Sequence, residues 1–137
     1  ISPIAGGTLM AGSTQGGTTD ADGSGNGSIL STVGPGSAMY FGRIDGANVL
    51  SLLPNLTTVI AGSFNSASTN ASAGLPGVTV PGPSVLTSIG IQHEFSLTPG
   101  DRATFTSVFV VNPVPEPGSL SLLGLAGAAL LWRRRRS

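Results

Sequence analysis

The sequence predicts a mainly β protein: a small antiparallel β-sandwich-like domain, with a Gly/Ser-rich N-terminal region before it and one C-terminal hydrophobic helix after it. Three observations predict this class. Residues 89–97 and 103–111 alternate apolar and polar side chains with the period of two that a strand requires. Glycine and proline, with 21 and 10 of the 137 residues, punctuate the chain with turns. An uncharged run at 118–132 places apolar side chains on every face of a helix.

The first third of the chain, residues 1–37, is rich in Gly, Ser and Thr. Glycine loses the most conformational entropy on ordering, so this region is predicted to be flexible or to form only short strands, for example at 29–33. A sandwich needs about seven strands. The region must therefore supply some of them, or they lie in a part of the protein outside this sequence.

The β-rich outer domain is predicted at 38–113, and the tail at 114–137. The first strands of the outer domain are expected at 39–44 and 57–64, with turns at Asp45-Gly46 and Pro54-Asn55. Residues 66–83 return to Ser, Asn, Gly and Pro and are predicted to form a long loop, with a short strand at 78–80.

The strongest strand patterns lie at 89–97 and 103–111. In the second, alternation places Ala103, Phe105, Phe109 and Val111 in one row. Residues 98–101, Thr-Pro-Gly-Asp, are typical of a turn. The two strands are therefore predicted to pair as an antiparallel hairpin of the kind that closes an immunoglobulin-like sandwich.

Charge and cysteine content exclude several classes of function. Four of the six basic residues lie in the tail, and the rest of the chain has five carboxylates against two arginines. This mild acidity argues against nucleic-acid binding. Without cysteine, the chain has neither disulfides nor a thiolate metal site. Because the sequence begins at Ile1 without an export signal, it is expected to be part of a longer protein.

A weak calcium pattern occurs near the N-terminus. Oxygen-bearing side chains alternate with small residues, as at the start of a calcium loop; they are Asp20, Asp22, Ser24 and Asn26. Gly27 and Ser31 break two later requirements of that loop. A flexible Asp/Gly turn is therefore favoured, no cofactor is predicted, and low-affinity calcium binding is left open.

No catalytic constellation is recognisable. His93 is the only histidine, and it is expected to be a strand residue at a sheet edge. Adjacent strand residues point to opposite faces, so His93 and Glu94 cannot form an acid/base pair. No serine lies in a Gly-x-Ser-x-Gly motif. The sequence predicts that the protein is not an enzyme.

The tail has three parts in a fixed order. Pro115, Glu116 and Pro117 come first, and a marginal membrane anchor of about 15 residues follows, shorter than the roughly 20 that cross a bilayer. Its large apolar residues are Leu120, Leu122, Leu123, Leu125, Leu130, Leu131 and Trp132. The basic flank is Arg133, Arg134, Arg135 and Arg136, which should stay on the cytoplasmic side. The residues alone also fit an ordinary membrane anchor.

This order of motif, apolar helix and terminal arginines resembles the PEP-CTERM sorting signal. The resemblance covers residues 114–137. It implies a bacterial protein that is exported, held at the inner membrane with its outer domain in the periplasm, and processed near Pro-Glu-Pro by an exosortase. The protein would then reach the cell surface or the exterior.

The predicted function is that of a non-catalytic surface or extracellular-matrix protein. The resemblance links it to exopolysaccharide and biofilm. The alternatives are a carbohydrate- or calcium-binding module, or the C-terminal part of an exported enzyme.

Overall fold

The structure, a computed structural model, describes residues 2–114 and 117–135, except for the side chains of Pro117, Ser119 and Leu120. The described residues form ten strands followed by one helix. In chain order these are β1 (Thr8–Thr19), β2 (Ser28–Ser31), β3 (Ala38–Ile44), β4 (Ala47–Pro54), β5 (Thr58–Ala61), β6 (Ser66–Ala73), β7 (Val80–Gly82), β8 (Ile89–His93), β9 (Ser96–Leu97), β10 (Arg102–Pro113) and α1 (Pro117–Arg135). The prediction of a mainly β protein with one C-terminal helix is confirmed.

The first sheet is built around β1. This strand pairs antiparallel with β10 from Thr8 opposite Pro113 to Thr19 opposite Arg102. Its other edge pairs antiparallel with β6 and, nearer its start, with β7. β1 is therefore hydrogen-bonded on both sides, although it carries three glycines.

Two smaller antiparallel sheets complete the β body. Their strand orders are β5-β2-β9 and β4-β3-β8. β3 and β4 form a hairpin through Asp45 and Gly46, whose φ angles of 50° and 82° are both positive. Two positive φ angles define the type I′ turn that Asp-Gly favours, which confirms the turn predicted there.

The core lies between the first sheet and the other two. One buried cluster joins Leu30, Met39, Leu53 and Val59 from the two smaller sheets, and Phe105 of β10 packs against it. The other joins Met10 of β1, Ile44 of β3 and Val85, with Phe109 of β10 packed against it. β10 thus contributes an aromatic ring to each cluster, and its inward row is the one predicted from alternation.

Glycines make room for these rings: Gly16 lies opposite Phe105 on the paired strand β1, and Gly42 lies on β3 of another sheet. A Cβ built on Gly16 would lie 2.8 Å from Cε1 of Phe105, and one on Gly42 would lie 2.7 Å from Cε2 of Phe109. Both distances are too short for non-bonded carbon atoms. The glycines therefore serve close packing, one of the recognised uses of glycine inside a strand.

Two sequence predictions of local structure were wrong, and one strand was not predicted. Residues 1–37 are not confined to flexible segments and short strands, because they contain the twelve-residue β1. Residues 66–83 are not one long loop, because β6 occupies Ser66–Ala73 and pairs with β1. An additional strand, β4, lies between the two strands expected at 39–44 and 57–64.

The predicted hairpin of 89–97 with 103–111 is also wrong. The first segment is divided between β8, which pairs with β3, and β9, which pairs with β2. β10 pairs with β1 instead. The turn itself is confirmed, since Asp101 N donates to Thr98 O at 3.4 Å and Gly100 has φ of 85°. This turn connects β9 to β10, which lie in different sheets. The predicted immunoglobulin-like pair of sheets is not confirmed.

Candidate functional site

The tail begins where the first sheet ends. Val114 follows β10, and its N–H donates to the carbonyl oxygen of Gly7 at 3.1 Å. This bond fixes the last residue before the motif to the start of β1. Pro115 and Glu116 lie outside the described residues, and so does Arg136. Pro117 is the first residue of α1, a position that suits proline because the first helical N–H has no partner within the helix.

The apolar residues of α1 remain exposed. Leu122, Leu123, Leu125, Leu130, Leu131 and Trp132 are 67–71 % exposed. Arg133, Arg134 and Arg135 occupy the last turn, where positive charge interacts favourably with the helix dipole. The predicted order of apolar helix and basic flank is therefore present in α1, and the flank is helical as far as Arg135.

The membrane-spanning character predicted for this helix is not supported. Within 2–114 and 117–135, no helix combines the length and the apolar content needed to cross a membrane. α1 has 19 residues, and its glycines, serines, proline and three arginines lower its mean hydropathy.

Three carboxylates meet where β1 ends and β10 begins. Asp20, Asp22 and Asp101 each place an oxygen within 4.8 Å of the other two. Because Thr19 lies opposite Arg102, the residues just outside this pair, Asp20 and Asp101, are brought to the same end of the sheet. Two of the four predicted calcium candidates are thus in this cluster.

The other two candidates have different positions. Ser24 donates from N and Oγ to Oδ1 of Asp22, at 2.8 and 2.6 Å, and so orients that carboxylate. These hydrogen bonds lower the pKa of Asp22. Asn26 lies further along the same connection between β1 and β2. Sequence reasoning missed Asp101, which could have been found only by recognising the pairing of β1 with β10.

The single histidine lies between the layers of the β body. His93 Nε2 is 2.9 Å from Ser107 Oγ, which is 2.7 Å from Thr14 Oγ1. The imidazole ring packs on Phe105 at 4.6 Å and on Tyr40 at 5.9 Å between centroids. Burial lowers the pKa of His93. His93 lies on edge strand β8, as predicted, and its ring joins a polar contact inside the protein.

The outer surface of the first sheet is mostly polar, with Arg102 and Val108 as its exposed charged and apolar residues. Its exposed and half-exposed hydroxyl and amide side chains form what we call the polar face: Ser13, Gln15, Thr19, Ser66, Ser68, Asn70, Ser72, Thr104 and Thr106. Because Gly17 has no side chain, the surface is depressed between Ser68 and Thr104, and a groove of about 330 Å³ lies there. The polar face thus presents many hydrogen-bonding groups to solvent.

Comparison with known proteins identifies the tail. A β body followed by an exposed helix with a basic end has the arrangement of a protein with a C-terminal sorting tail. Residues 113–136 match the family model of the PEP-CTERM protein-sorting motif. That signal indicates an exported protein that is sorted at a membrane and processed by an exosortase. No curated protein and no solved structure matches the chain.

Proposed function

We propose that this chain is a non-catalytic surface or extracellular-matrix protein that is delivered by its tail and contacts exopolysaccharide through the polar face. The sorting motif at 113–136 carries the delivery part of the proposal. In this account Pro115, Glu116 and Pro117 are the recognition element. α1, whose leucines are exposed, associates the chain with the inner membrane before processing.

The polar face supports the contact with polysaccharide. Sugars present hydroxyl groups, and side-chain hydroxyls and amides can both donate to them and accept from them. Gln15 lies opposite Asn70 on one neighbouring strand and Thr106 on the other, so these side chains form rows across three strands. An extended polymer could bind along such rows with many weak hydrogen bonds.

The surroundings of His93 support a role without catalysis. A serine activated by histidine needs an exposed hydroxyl and a base held by a third group. Ser107 instead lies in the inward row of β10, where it also contacts Thr14. The pair contributes to packing between the layers.

Removing hydroxyls from the polar face tests the proposed contact. The triple variant Ser68→Ala/Thr104→Ala/Thr106→Ala should bind exopolysaccharide from the producing host at least about tenfold more weakly, since each hydrogen bond contributes about 0.5–1.5 kcal/mol. Co-sedimentation of the full chain with the purified polymer measures this. Ser51→Ala/Thr79→Ala/Ser88→Ala removes three exposed hydroxyls elsewhere and is the matched control. Equal binding by both variants, or no binding by the unaltered protein, would contradict the proposal.

A further inference from the structure

The carboxylates of Asp20, Asp22 and Asp101 are held together by the surrounding backbone. Asp20 Oδ2 accepts from Gly27 N at 3.1 Å and from Phe64 N at 2.8 Å, while Asp101 Oδ1 accepts from Ala21 N at 3.2 Å. Thr98 Oγ1 donates to Asp101 Oδ2. The three acids therefore occupy fixed positions on two loops that meet at one end of the first sheet.

One oxygen of this cluster is buried without a partner. Asp20 is only 7 % exposed, and its Oδ1 is inaccessible to solvent and has no hydrogen bond within the described residues. Since Oδ2 is held by two amides, Oδ1 is the atom that remains for a ligand. A buried carboxylate oxygen without a partner is costly, because it has lost its hydration without compensation.

Within residues 2–114, no basic side chain is hydrogen-bonded to these carboxylates. Residues 2–114 contain two basic residues, Arg43 and Arg102, and neither forms an ion pair with the cluster. Arg43 instead donates to Gln92 Oε1 and to the carbonyl oxygen of Gly46. Three carboxylates within 4.8 Å of one another, with no basic side chain of residues 2–114 hydrogen-bonded to them, are suited to bind a cation.

We propose that Asp20, Asp22 and Asp101 bind a calcium ion at the end of the β1–β10 pair. Calcium binds oxygen ligands, and it accepts irregular sets of 6–8 of them that include carboxylates, backbone carbonyls and water. The cluster offers carboxylate oxygens and neither histidine nor cysteine, which transition metals prefer. With three protein carboxylates the expected Kd is about 0.1–1 mM, the range of extracellular calcium modules.

The ion would join two loops that are distant in sequence. Asp20 and Asp22 lie in the connection from β1 to β2, and Asp101 lies in the turn before β10. Gly100, with φ of 85°, brings this turn close to Asp22; a Cβ on it would lie 2.7 Å from the Asp22 Cβ. Calcium would therefore fix the open end of the longest strand pair.

Calcium titration of the full chain in non-ionic detergent tests the site. Isothermal calorimetry in about 0.15 M salt, which screens surface charge, should show one ion bound per chain. Asp22→Asn and Asp101→Asn should each raise the Kd at least about tenfold. Glu94→Gln makes the same change of charge outside the cluster and should bind as the unaltered protein does.

Thermal unfolding distinguishes a cation site from purely structural carboxylates. In EDTA, the Tm of each variant serves as its own baseline, because Asp22 and Asp101 also accept hydrogen bonds from Ser24, Ala21 and Thr98. In about 10 mM calcium only the unaltered protein and Glu94→Gln should gain Tm. Absence of binding, equal affinity for magnesium, or an equal gain of Tm in calcium by the two cluster variants would overturn the proposal.

Discussion

Individual glycines show how a residue can have two opposite uses in one sequence. In the connection after β1, Gly23 and Gly25 have positive φ and open space or an exposed ring beside them, as expected of turn glycines. In the strands, Gly16 and Gly42 leave room for Phe105 and Phe109. Composition alone predicts the first use. The use of glycine to make room for a ring depends on which strands pair and pack together, and this is a tertiary property.

Filling one of these spaces should destabilise the protein. Gly42→Ala places a methyl group 2.7 Å from a carbon of Phe109, whose ring packs on the cluster of Met10, Ile44 and Val85. We expect a loss of about 1–3 kcal/mol in the free energy of unfolding, the usual cost of overpacking. Urea unfolding measures it. Gly90→Ala, where the new methyl meets open space, should change stability by less than about 0.5 kcal/mol; an equal loss in both variants would contradict this packing.

At the scale of elements, the sequence predicted which residues of a strand face inward better than it predicted which strands pair. The inward row of β10 and the turns at Asp45-Gly46 and 98–101 were correct, because alternation and turn chemistry are local. The pairing of β10 with β1 could not be predicted from local sequence patterns, since most of the β body lies between the two strands in the chain. β1 and β6 were missed because Gly, Ser, Thr and Ala provide little contrast between their two faces.

The β3–β4 hairpin is fastened to the segment before β8 by one carboxylate. Asp45 Oδ1 accepts from the N–H of Ser88 and Thr87, at 2.9 and 2.7 Å, and Oδ2 accepts from Leu86 N at 2.8 Å. These backbone hydrogen bonds hold the pKa of Asp45 well below its usual range. Folding thus stabilises the charged form of Asp45, so the contact between the hairpin and residues 86–88 is sensitive to acid.

The stability contributed by Asp45 should depend on pH in a defined direction. Because the pKa in the folded state is depressed, the contribution is present above the unfolded value of about 3.9 and is lost as the pH falls below it. Asp45→Asn tolerates the positive φ and should lower the Tm at pH 7. Thermal unfolding across the acidic range should show the two proteins converging below about pH 4. A constant difference in Tm down to acidic pH would contradict the role assigned to this carboxylate.

At the scale of the whole molecule, the chain combines a β body with a tail of separate purpose. The tail was the most predictable part, because its motif, apolar run and arginines are contiguous in sequence and their order is diagnostic. The acidic cluster was predictable only in part. Asp20 and Asp22 are near neighbours in the chain, whereas Asp101 reaches them through the pairing of β1 with β10.

The intact mass of the protein recovered from its producing host, with the C-terminal peptide sequenced, tests the sorting account most directly. If the tail is a sorting signal, the recovered chain ends near residues 114–117 and lacks the arginine flank. In the variant Pro115→Ala/Glu116→Ala/Pro117→Ala, membrane association should persist and the full tail should remain, because the recognition element is gone. An unaltered protein that keeps residues 133–137, or normal release of the variant, would contradict the account.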